Sequence, residues 1–118
     1  MVIEATGVEM RVSLRSGPPV HYQRPAVDVL FHSVARLRGV PIVACLLTGM
    51  GADGADGMVA LLREGAETIA QDEHSSIVFG MPREAIARGG AAHVAPILTM
   101  PTVIAECFAR LNAAGRAA

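Results

Sequence analysis

Residues 46–57, LLTGMGADGADG, restrict the possible folds more than any other part of the sequence. An apolar run over residues 42–47 ends there at four glycines within nine residues, and an apolar pattern restarts at Met58. A short continuous apolar run between helical segments is typical of a parallel strand that is buried on both faces. The stretch therefore predicts a buried strand, a tight loop and the start of a helix.

Further helices and strands are predicted on both sides of this loop. Apolar residues at helical spacing indicate a helix between Pro25 and Gly39, another from Met58 to Gly65, and a terminal helix that begins at Pro101. One more helix is introduced by residues 80–82 and ends at residues 89–90. Residues 68–70 suit a short strand, and residues 94–98 suit a last, edge-like strand that contains a proline.

The start of the chain carries the alternating pattern of a strand. Val8, Met10, Val12 and Leu14 alternate with polar residues, which predicts a half-buried strand with residues 2–5 as its hairpin partner. Together the elements predict an α/β fold of three layers: a mainly parallel sheet with helices on both faces, Rossmann-like or doubly wound, plus an N-terminal antiparallel hairpin. No strand and helix precede the hairpin to flank the sheet, so we expect a partial domain.

The composition limits the classes of function. With 118 residues, 52% of them hydrophobic, and a mean hydropathy of +0.42, the chain suits one domain with a sizeable core. A formal charge of -1 without a basic block predicts no nucleic-acid partner. No apolar run reaches the roughly 18 residues of a membrane span, so we expect no membrane insertion and a cytoplasmic location. Cys45 and Cys107 lie in apolar runs and are expected to be reduced core thiols.

The glycine-rich loop suits a ligand site, because sites in open α/β sheets form outside the carboxyl ends of the strands. Gly49, Gly51 and Gly54 fit the pattern G-x-G-x-x-G, in which the backbone approaches a phosphate closely. Asp53 and Asp56 would repel a pyrophosphate at this place, and the pattern GxxxxGK[ST] is absent. These two observations count against a phosphate site, so a phosphate-binding α/β module is an alternative and not the main hypothesis.

The two aspartates of the loop suit three other roles. With Glu64 or Asp72 they offer oxygen ligands to a metal ion, although the EF-hand order is absent. Asp53 also suits the buried carboxylate that orients the histidine of a Ser-His-Asp triad. The commonest role for an aspartate at such a place is to cap the following helix. The residues by themselves leave these roles open.

Three segments, in this order and at this spacing, resemble the bacterial chemotaxis protein-glutamate methylesterases of the CheB family. They are LLTGMGADGADGM, TIAQDE and VFGMPREAI, and the upstream PPVHYQRPAVDVLFHSVA is also similar to a family segment. The resemblance covers nearly the whole chain from about Val8. It implies that residues 1–118 are the C-terminal portion of the family's catalytic domain, without the regulatory receiver domain of this signalling phosphorelay.

The activity that the resemblance implies is hydrolysis of glutamate methyl esters on the cytoplasmic helices of chemoreceptors, and in some members glutamine deamidation. It implies no metal and no organic cofactor. The triad aspartate of the family lies in GMGxDG and matches Asp53, while Met50 matches the residue whose backbone N–H helps to hold the oxyanion. The remaining matches are the substrate-pocket residues Gly80, Met81 and Pro82 and the loop-shaping residues Gly49, Gly51 and Gly54.

Two triad members of the family have no match in this sequence. The family's serine lies in a Gly-x-Ser-[Thr/Ser]-Gly-Gly turn and its histidine in a Gln-His-Met-Pro-like turn, and both motifs are absent. His74, Ser75 and Ser76 are adjacent and would point to opposite faces of an extended chain, so we do not expect them to rebuild the triad. We therefore expect an inactive chain that needs an upstream part of the same domain. The rival hypothesis is an interaction module that pairs with a second copy through exposed sheet edges.

Overall fold

The computed structural model describes residues 1–6, 9–20 and 26–114, so the predictions that rest on Val8 and Pro25 lie outside the described residues. The strands are β1 (Val2–Thr6), β2 (Glu9–Ser13), β3 (Val43–Leu46), β4 (Glu67–Gln71) and β5 (His93–Ala95). The helices are α1 (Val27–Ala35), α2 (Ala55–Arg63), α3 (Met81–Ala87) and α4 (Met100–Ala114), with a 3₁₀ turn at Ile97–Thr99 before α4. None of these helices is both long and apolar enough to cross a bilayer.

The central sheet is parallel, and its strands lie in the order β3-β4-β5. Side chains alternate along β3, so that Ala44 and Leu46 pack on one face while Val43 and Cys45 pack on the other. Helices α1, α2 and α3 cover the first face, and α4 covers the second. The predicted α/β class, with helices on both faces of a parallel sheet, is therefore confirmed, and β1 and β2 form the predicted antiparallel hairpin.

Helix α2 lies at the centre of the first face. Its residues Met58 and Leu61 are fully buried against the sheet, beside Leu46 of β3 and Ala85 of α3. Complete burial of such side chains contributes about 1.5–3 kcal/mol each. This core fixes the start of α2, and with it the loop that leads from β3 to α2.

The second face combines an apolar cluster with a polar network. Ile69 of β4 packs with Ala95, Met100 and Cys107. Both cysteines are free thiols, as predicted. At the amino ends of β4 and β5, Glu67 Oε2 lies 2.8 Å from His93 Nε2, and Arg110 of α4 donates from Nε to Glu67 Oε1 at 3.1 Å. The network ties α4 to two strands.

Three sequence predictions need correction. Helix α2 begins at Ala55 and not at Met58, because its first turn is built from small residues that the apolar pattern does not include. Strand β5 ends at Ala95 and is followed by the 3₁₀ turn, because Pro96 cannot donate to a ladder. The predicted half-burial of the strand at residues 8–14 is also wrong: strand β2 is present, but its residues Met10 and Val12 are 56% and 61% exposed. The alternation is present, but no described element covers its apolar face.

Helices α1 and α2 are in close contact at Gly57. A Cβ atom at this position would lie 2.5 Å from the Cβ of Phe31 and 3.0 Å from Oδ1 of Asp28. The Phe31 Cβ is fixed to the backbone of α1 and cannot turn away. The glycine is therefore required for the distance between the two helices.

Gly57→Ala is expected to destabilise the chain by about 1–2 kcal/mol, because overpacking costs up to about 3 kcal/mol and alanine recovers only about 1 kcal/mol of helix propensity. Urea denaturation measures the change. Gly17→Ala is the control, since a Cβ there would meet nothing within 4 Å, and its effect should stay within about 0.5 kcal/mol. Equal stability of the two variants would contradict the close packing.

The Glu67 network predicts a dependence of stability on pH. Burial acts to raise the pKa of Glu67, but the hydrogen bonds and charges of His93 and Arg110 outweigh it and hold the pKa below its ordinary value. The stabilisation is therefore complete above the unfolded-state pKa of about 4.3 and is lost as the pH falls through the lower folded-state pKa. In urea denaturation, the stability difference between the parent chain and Glu67→Gln should shrink below about pH 4. A constant difference from pH 7 to pH 3 would contradict this assignment.

Candidate active site

The β3–α2 loop lies at the carboxyl end of the sheet and is fixed at its start by Thr48. The Thr48 N–H donates to Oε1 of Gln71 at 2.8 Å, and the Thr48 hydroxyl accepts the N–H of Val78 at 2.8 Å. The same hydroxyl lies 3.1 Å from the carbonyl oxygen of Val78, to which it donates. The loop is thereby joined to β4 and to residues 77–79, which lead into α3.

Gly49 and Gly80 bring the two loops into direct contact. The carbonyl oxygen of Gly49 accepts the N–H groups of Gly80 at 3.0 Å and of Met81 at 2.8 Å. A Cβ atom on Gly80 would lie 2.6 Å from this carbonyl oxygen and 3.1 Å from the Cα of Met50. The contact therefore requires glycine at position 80, and it sets the path of the backbone at Met50.

Met50 lies at the tip of the loop with a side chain that is 82% exposed. Its backbone N–H donates to no acceptor within residues 1–6, 9–20 and 26–114. A backbone N–H without an acceptor in the described part of the chain, on an exposed residue of a fixed loop, is suited to donate to a developing negative oxygen of a substrate.

Two glycines of the loop have backbone angles that other residues rarely adopt. Gly51 has a φ of 92° and Gly54 a φ of 97°. At Gly54 a Cβ atom would also lie 2.9 Å from Cδ1 of Leu46. The loop can therefore turn sharply between β3 and α2 only with glycine at these positions.

Asp53 is 5% exposed and its carboxylate is held by the start of α1. Oδ2 accepts the N–H of Val27 at 2.8 Å, and Oδ1 accepts the N–H of Asp28 at 2.9 Å. These N–H groups have no partner within their own helix, so the Asp53 carboxylate supplies the acceptors that the start of α1 lacks. The predicted cap of the following helix is therefore wrong for Asp53, whose carboxylate binds the start of α1 instead.

The other aspartate of the loop has a different environment. Asp56 lies on the surface in the first turn of α2, and its Oδ1 accepts a hydrogen bond from Arg88 at 2.9 Å. The side chains of Asp53 and Asp56 therefore point to separate surroundings. Only Asp53 is buried at the carboxyl end of the sheet.

Two residues that support the loop were missed by the sequence analysis. Asp28 is 4% exposed and accepts the N–H of Gly57 through Oδ1 at 2.8 Å. Gln71 is 3% exposed, and besides its bond to Thr48 it donates to the carbonyl oxygen of Ser75 at 2.8 Å. For Gln71 the available signal was a polar residue directly after the apolar residues Ile69 and Ala70 of β4, because buried polar groups need partners.

The phosphate hypothesis fails at the start of α2. In a phosphate loop the free N–H groups of the helix start bind the anion. Here the carboxylate of Asp28 already accepts the Gly57 N–H, and the buried carboxylate of Asp53 precedes Gly54. Two anionic side chains of the protein itself therefore occupy or adjoin the place that a phosphate would take.

The predicted metal ligands do not converge among the described residues. Asp56 pairs with Arg88, Glu64 pairs with Arg38 at 3.3 Å, and Asp72 accepts the hydroxyl of Ser75 at 2.5 Å. These partners lie in different parts of the fold. The contacts of both serines count against a rebuilt triad, because the Ser75 hydroxyl donates to the Asp72 carboxylate and the Ser76 hydroxyl to the Asp72 carbonyl oxygen, and neither donates to His74.

One other described group has the chemistry of metal ligands. Ligand atoms of Glu67, His93 and Cys107 lie within 4.8 Å of one another. They lie at the amino ends of β4 and β5, whereas the β3–α2 loop lies at the carboxyl end of the sheet. Arg110 lies among them, 3.1 Å from His93 Nε2 and 3.3 Å from Cys107 Sγ. Burial raises the pKa of the Cys107 thiol, which disfavours the thiolate that a metal would bind. The guanidinium supplies the positive charge in this group.

Of the predicted pocket residues, Gly80 and Met81 are half-buried at the loop contact, whereas Pro82 is fully buried in the first turn of α3. The Met81 side chain packs under Gly49, at the place where a Cβ atom would lie. The structure therefore brings Gly80 and Met81 next to Met50. The Pro82 side chain packs inside the fold at the first turn of α3, and its surface is not accessible to a substrate.

Comparison with known proteins agrees with the resemblance. A family model described as CheB methylesterase matches residues 1–104. The chain belongs to the CheB methylesterase family. It is 62% identical over 81 residues, 69% of this chain, to the protein-glutamate methylesterase/protein-glutamine glutaminase 1 of Anaeromyxobacter dehalogenans. It is 47% identical over 113 residues, 96% of this chain, to the protein-glutamate methylesterase/protein-glutamine glutaminase of Salmonella typhimurium.

The CheB fold is also found in the solved structure of the Thermotoga maritima CheB methylesterase catalytic domain. The TM-score is 0.84 at 31% sequence identity, over 89% of this chain and 56% of the other. The chain spans 23% of the Anaeromyxobacter relative and 32% of the Salmonella relative. The comparisons therefore cover part of each relative.

Asp53→Ala should destabilise the chain by about 2 kcal/mol, because it removes the acceptors of two N–H groups at a helix start and leaves these groups buried. Asp53→Asn keeps one acceptor oxygen and should lose about half as much. Asp56→Ala, which breaks an exposed ion pair, should change stability by about 0.5 kcal/mol or less. Urea denaturation of the three variants measures the ranking, and equal losses at positions 53 and 56 would contradict the assigned contacts.

Proposed function

We propose that residues 1–118 form the C-terminal portion of the catalytic domain of a protein-glutamate methylesterase. In this proposal Asp53 is the triad acid and the Met50 N–H is a donor of the oxyanion hole. The observation that carries the proposal is a buried carboxylate, fixed by two backbone N–H groups, on the same short loop as the N–H of the exposed Met50, which has no acceptor among the described residues. Membership of the CheB methylesterase family supports it.

Asp53 would act by orienting a histidine. An ionised carboxylate offers about four acceptor sites, and α1 uses one on each oxygen, so an imidazole N–H can still bind. The carboxylate then holds the imidazole in one tautomer and stabilises the imidazolium that forms during the reaction. Because α1 fixes the carboxylate before the histidine binds, this orientation requires little rearrangement.

The proposed reaction has two stages. The histidine takes the hydroxyl proton of the serine as the serine oxygen attacks the ester carbonyl, and the Met50 N–H stabilises the resulting oxyanion. The bond to the methoxy group breaks, and methanol leaves with the proton from the histidine. Water then attacks the acyl-enzyme by the same route, which releases the glutamate side chain and restores the serine. With glutamine as substrate, ammonia would leave in place of methanol.

The serine and the histidine of this reaction would come from the Gly-x-Ser-[Thr/Ser]-Gly-Gly and Gln-His-Met-Pro-like turns that the resemblance implies. Loss of either residue from a triad removes most of the rate enhancement. The 118 residues alone are therefore proposed to be inactive. Gly80 and Met81 would line the substrate side of the Met50 loop, while Gly49, Gly51 and Gly54 would shape it.

The part of the domain that carries these turns would cover an apolar groove of about 330 Å³. Ile3, Val12, Leu37, Ile42 and Phe108 are among its lining residues. The groove lies beside β3, which pairs with β4 on one side and has no described partner strand on the other. A second copy of the chain is the rival occupant, and it would make the chain a non-catalytic interaction module. A monomer in size-exclusion chromatography would count against that rival.

The proposed substrates are methylated glutamates on the cytoplasmic helices of chemoreceptors, which places the protein in the cytoplasm. This assignment rests on the family resemblance and on the names of the relatives, which are protein-glutamate methylesterases and protein-glutamine glutaminases.

A chimera tests the proposal: this chain replaces the aligned segment of the Salmonella typhimurium relative. We expect it to release methanol from methylated receptor, and Asp53→Asn should lower kcat by about 10⁴-fold, the cost of an incorrectly oriented histidine. Asp56→Asn is the control and should leave kcat unchanged, because its side chain is exposed and paired with Arg88. An active chimera in which Asp53→Asn and Asp56→Asn behave alike would contradict the proposed role of Asp53.

A further inference from the structure

We propose that Asp28 is a positioning residue of the methylesterase reaction, which fixes the loop that carries Asp53 and Met50. This inference rests on the proposed function. Asp28 lies in the first turn of α1 and is 4% exposed. A side chain so deeply buried cannot touch a protein substrate, so any effect of Asp28 on the reaction must pass through the residues that it holds.

The contacts of Asp28 form a closed arrangement with the loop. Its backbone N–H donates to Oδ1 of Asp53 at 2.9 Å, and its own Oδ1 accepts the N–H of Gly57 at 2.8 Å. One residue of α1 therefore binds both ends of residues 53–57. A single hydrogen bond would leave this segment free to pivot, whereas two bonds at its two ends fix its position and its orientation relative to α1.

The carboxylate of each aspartate lies at the start of the other helix. Asp53 precedes α2 but its carboxylate lies at the start of α1, while Asp28 belongs to α1 but its carboxylate lies at the start of α2. Each helix start carries partial positive charge and favours an anion there. Each helix is thus capped by the other one, so separation of α1 from α2 would break the caps of both.

The close packing at Gly57 makes the Asp28 contact possible. Because Gly57 has no Cβ, the Asp28 carboxylate can reach its N–H; a Cβ atom there would lie 3.0 Å from Asp28 Oδ1. Asp56, the neighbouring residue, points to solvent and pairs with Arg88. Asp56 therefore serves as the control for Asp28, because only the Asp28 carboxylate binds the backbone of residues 53–57.

The test compares three variants of the chimera. In Asp28→Leu the new side chain has a similar volume but no hydrogen-bond acceptor, whereas Asp28→Asn keeps one acceptor oxygen. Asp56→Leu is the control. Misplacement of a catalytic group by about 1 Å costs about 100-fold in rate, so Asp28→Leu should lower kcat about 100-fold with KM within twofold. Asp28→Asn should keep kcat within about fivefold, because neutral hydrogen bonds are weaker than charge-assisted ones. Asp56→Leu should keep the parent kcat.

Amide hydrogen exchange supplies a second readout that does not depend on activity. In Asp28→Leu the Gly57 amide should exchange at least tenfold faster, while the amides of β4 keep their protection. Loss of protection throughout the chimera would mean that Asp28→Leu unfolds it. In that case Asp28→Asn decides: a kcat near the parent value supports the proposal, and a loss of about 100-fold contradicts it.

An Asp28→Leu chimera with an unprotected Gly57 amide and the parent kcat would also overturn the proposal. If Asp53→Asn has no effect, the proposed function itself fails, and that result is independent of Asp28.

Discussion

Two backbone N–H groups at the start of α1 hold the carboxylate of Asp53, and the candidate site depends on this contact. Burial of a carboxylate is costly unless it is hydrogen-bonded, and here the free N–H groups of Val27 and Asp28 supply the bonds. Two hydrogen bonds, one to each carboxylate oxygen, fix both the position and the orientation of the Asp53 side chain. These two bonds satisfy the start of α1, and in the proposed function the same two bonds would hold the triad acid in place.

Close backbone contacts extend this constraint to the rest of the loop. Gly57 lets α2 approach α1, and Gly80 lets the loop before α3 approach Gly49 and Met50. The Asp53 carboxylate and the Met50 N–H are therefore held by different neighbours, α1 on one side and the start of α3 on the other. Both neighbours pack on the same face of the sheet, so the relative position of the Asp53 carboxylate and the Met50 N–H is determined by the packing of three helices.

Local patterns in the sequence were sufficient for much of the fold. The apolar run of residues 42–47, the glycines after it and the helical spacing after Met58 predicted β3, the loop and α2, because these features depend on neighbours in the chain. The partner of Asp53 was not predictable in this way: Val27 is 26 residues away, and no local pattern shows which helix start a carboxylate reaches. The same holds for Asp28 and Gly57, which are 29 residues apart. The exposed face of β2 was mispredicted because alternation shows which face is apolar and not what covers it.

The site itself was only partly predictable. From the residues alone, Asp53 was compatible with a cap, a metal site and a triad, with a cap as the commonest role at such a place, and the resemblance to the CheB family was needed to single out the triad. The structure then removed the phosphate hypothesis through the carboxylate of Asp28 and the metal hypothesis through the separate partners of Asp56, Glu64 and Asp72. The contact with α1 is compatible with the proposed role in catalysis, because a carboxylate that accepts one hydrogen bond on each oxygen has further acceptor sites.

A crystal structure of the chimera would test the central claim most directly, through the distances from the Asp53 carboxylate to α1 and to the upstream histidine. The account predicts that both Asp53 oxygens still accept the N–H groups of Val27 and Asp28. It also predicts that one of them lies within about 2.6–3.2 Å of a histidine nitrogen. A histidine oriented by another carboxylate, with Asp53 bound only to α1, would contradict it.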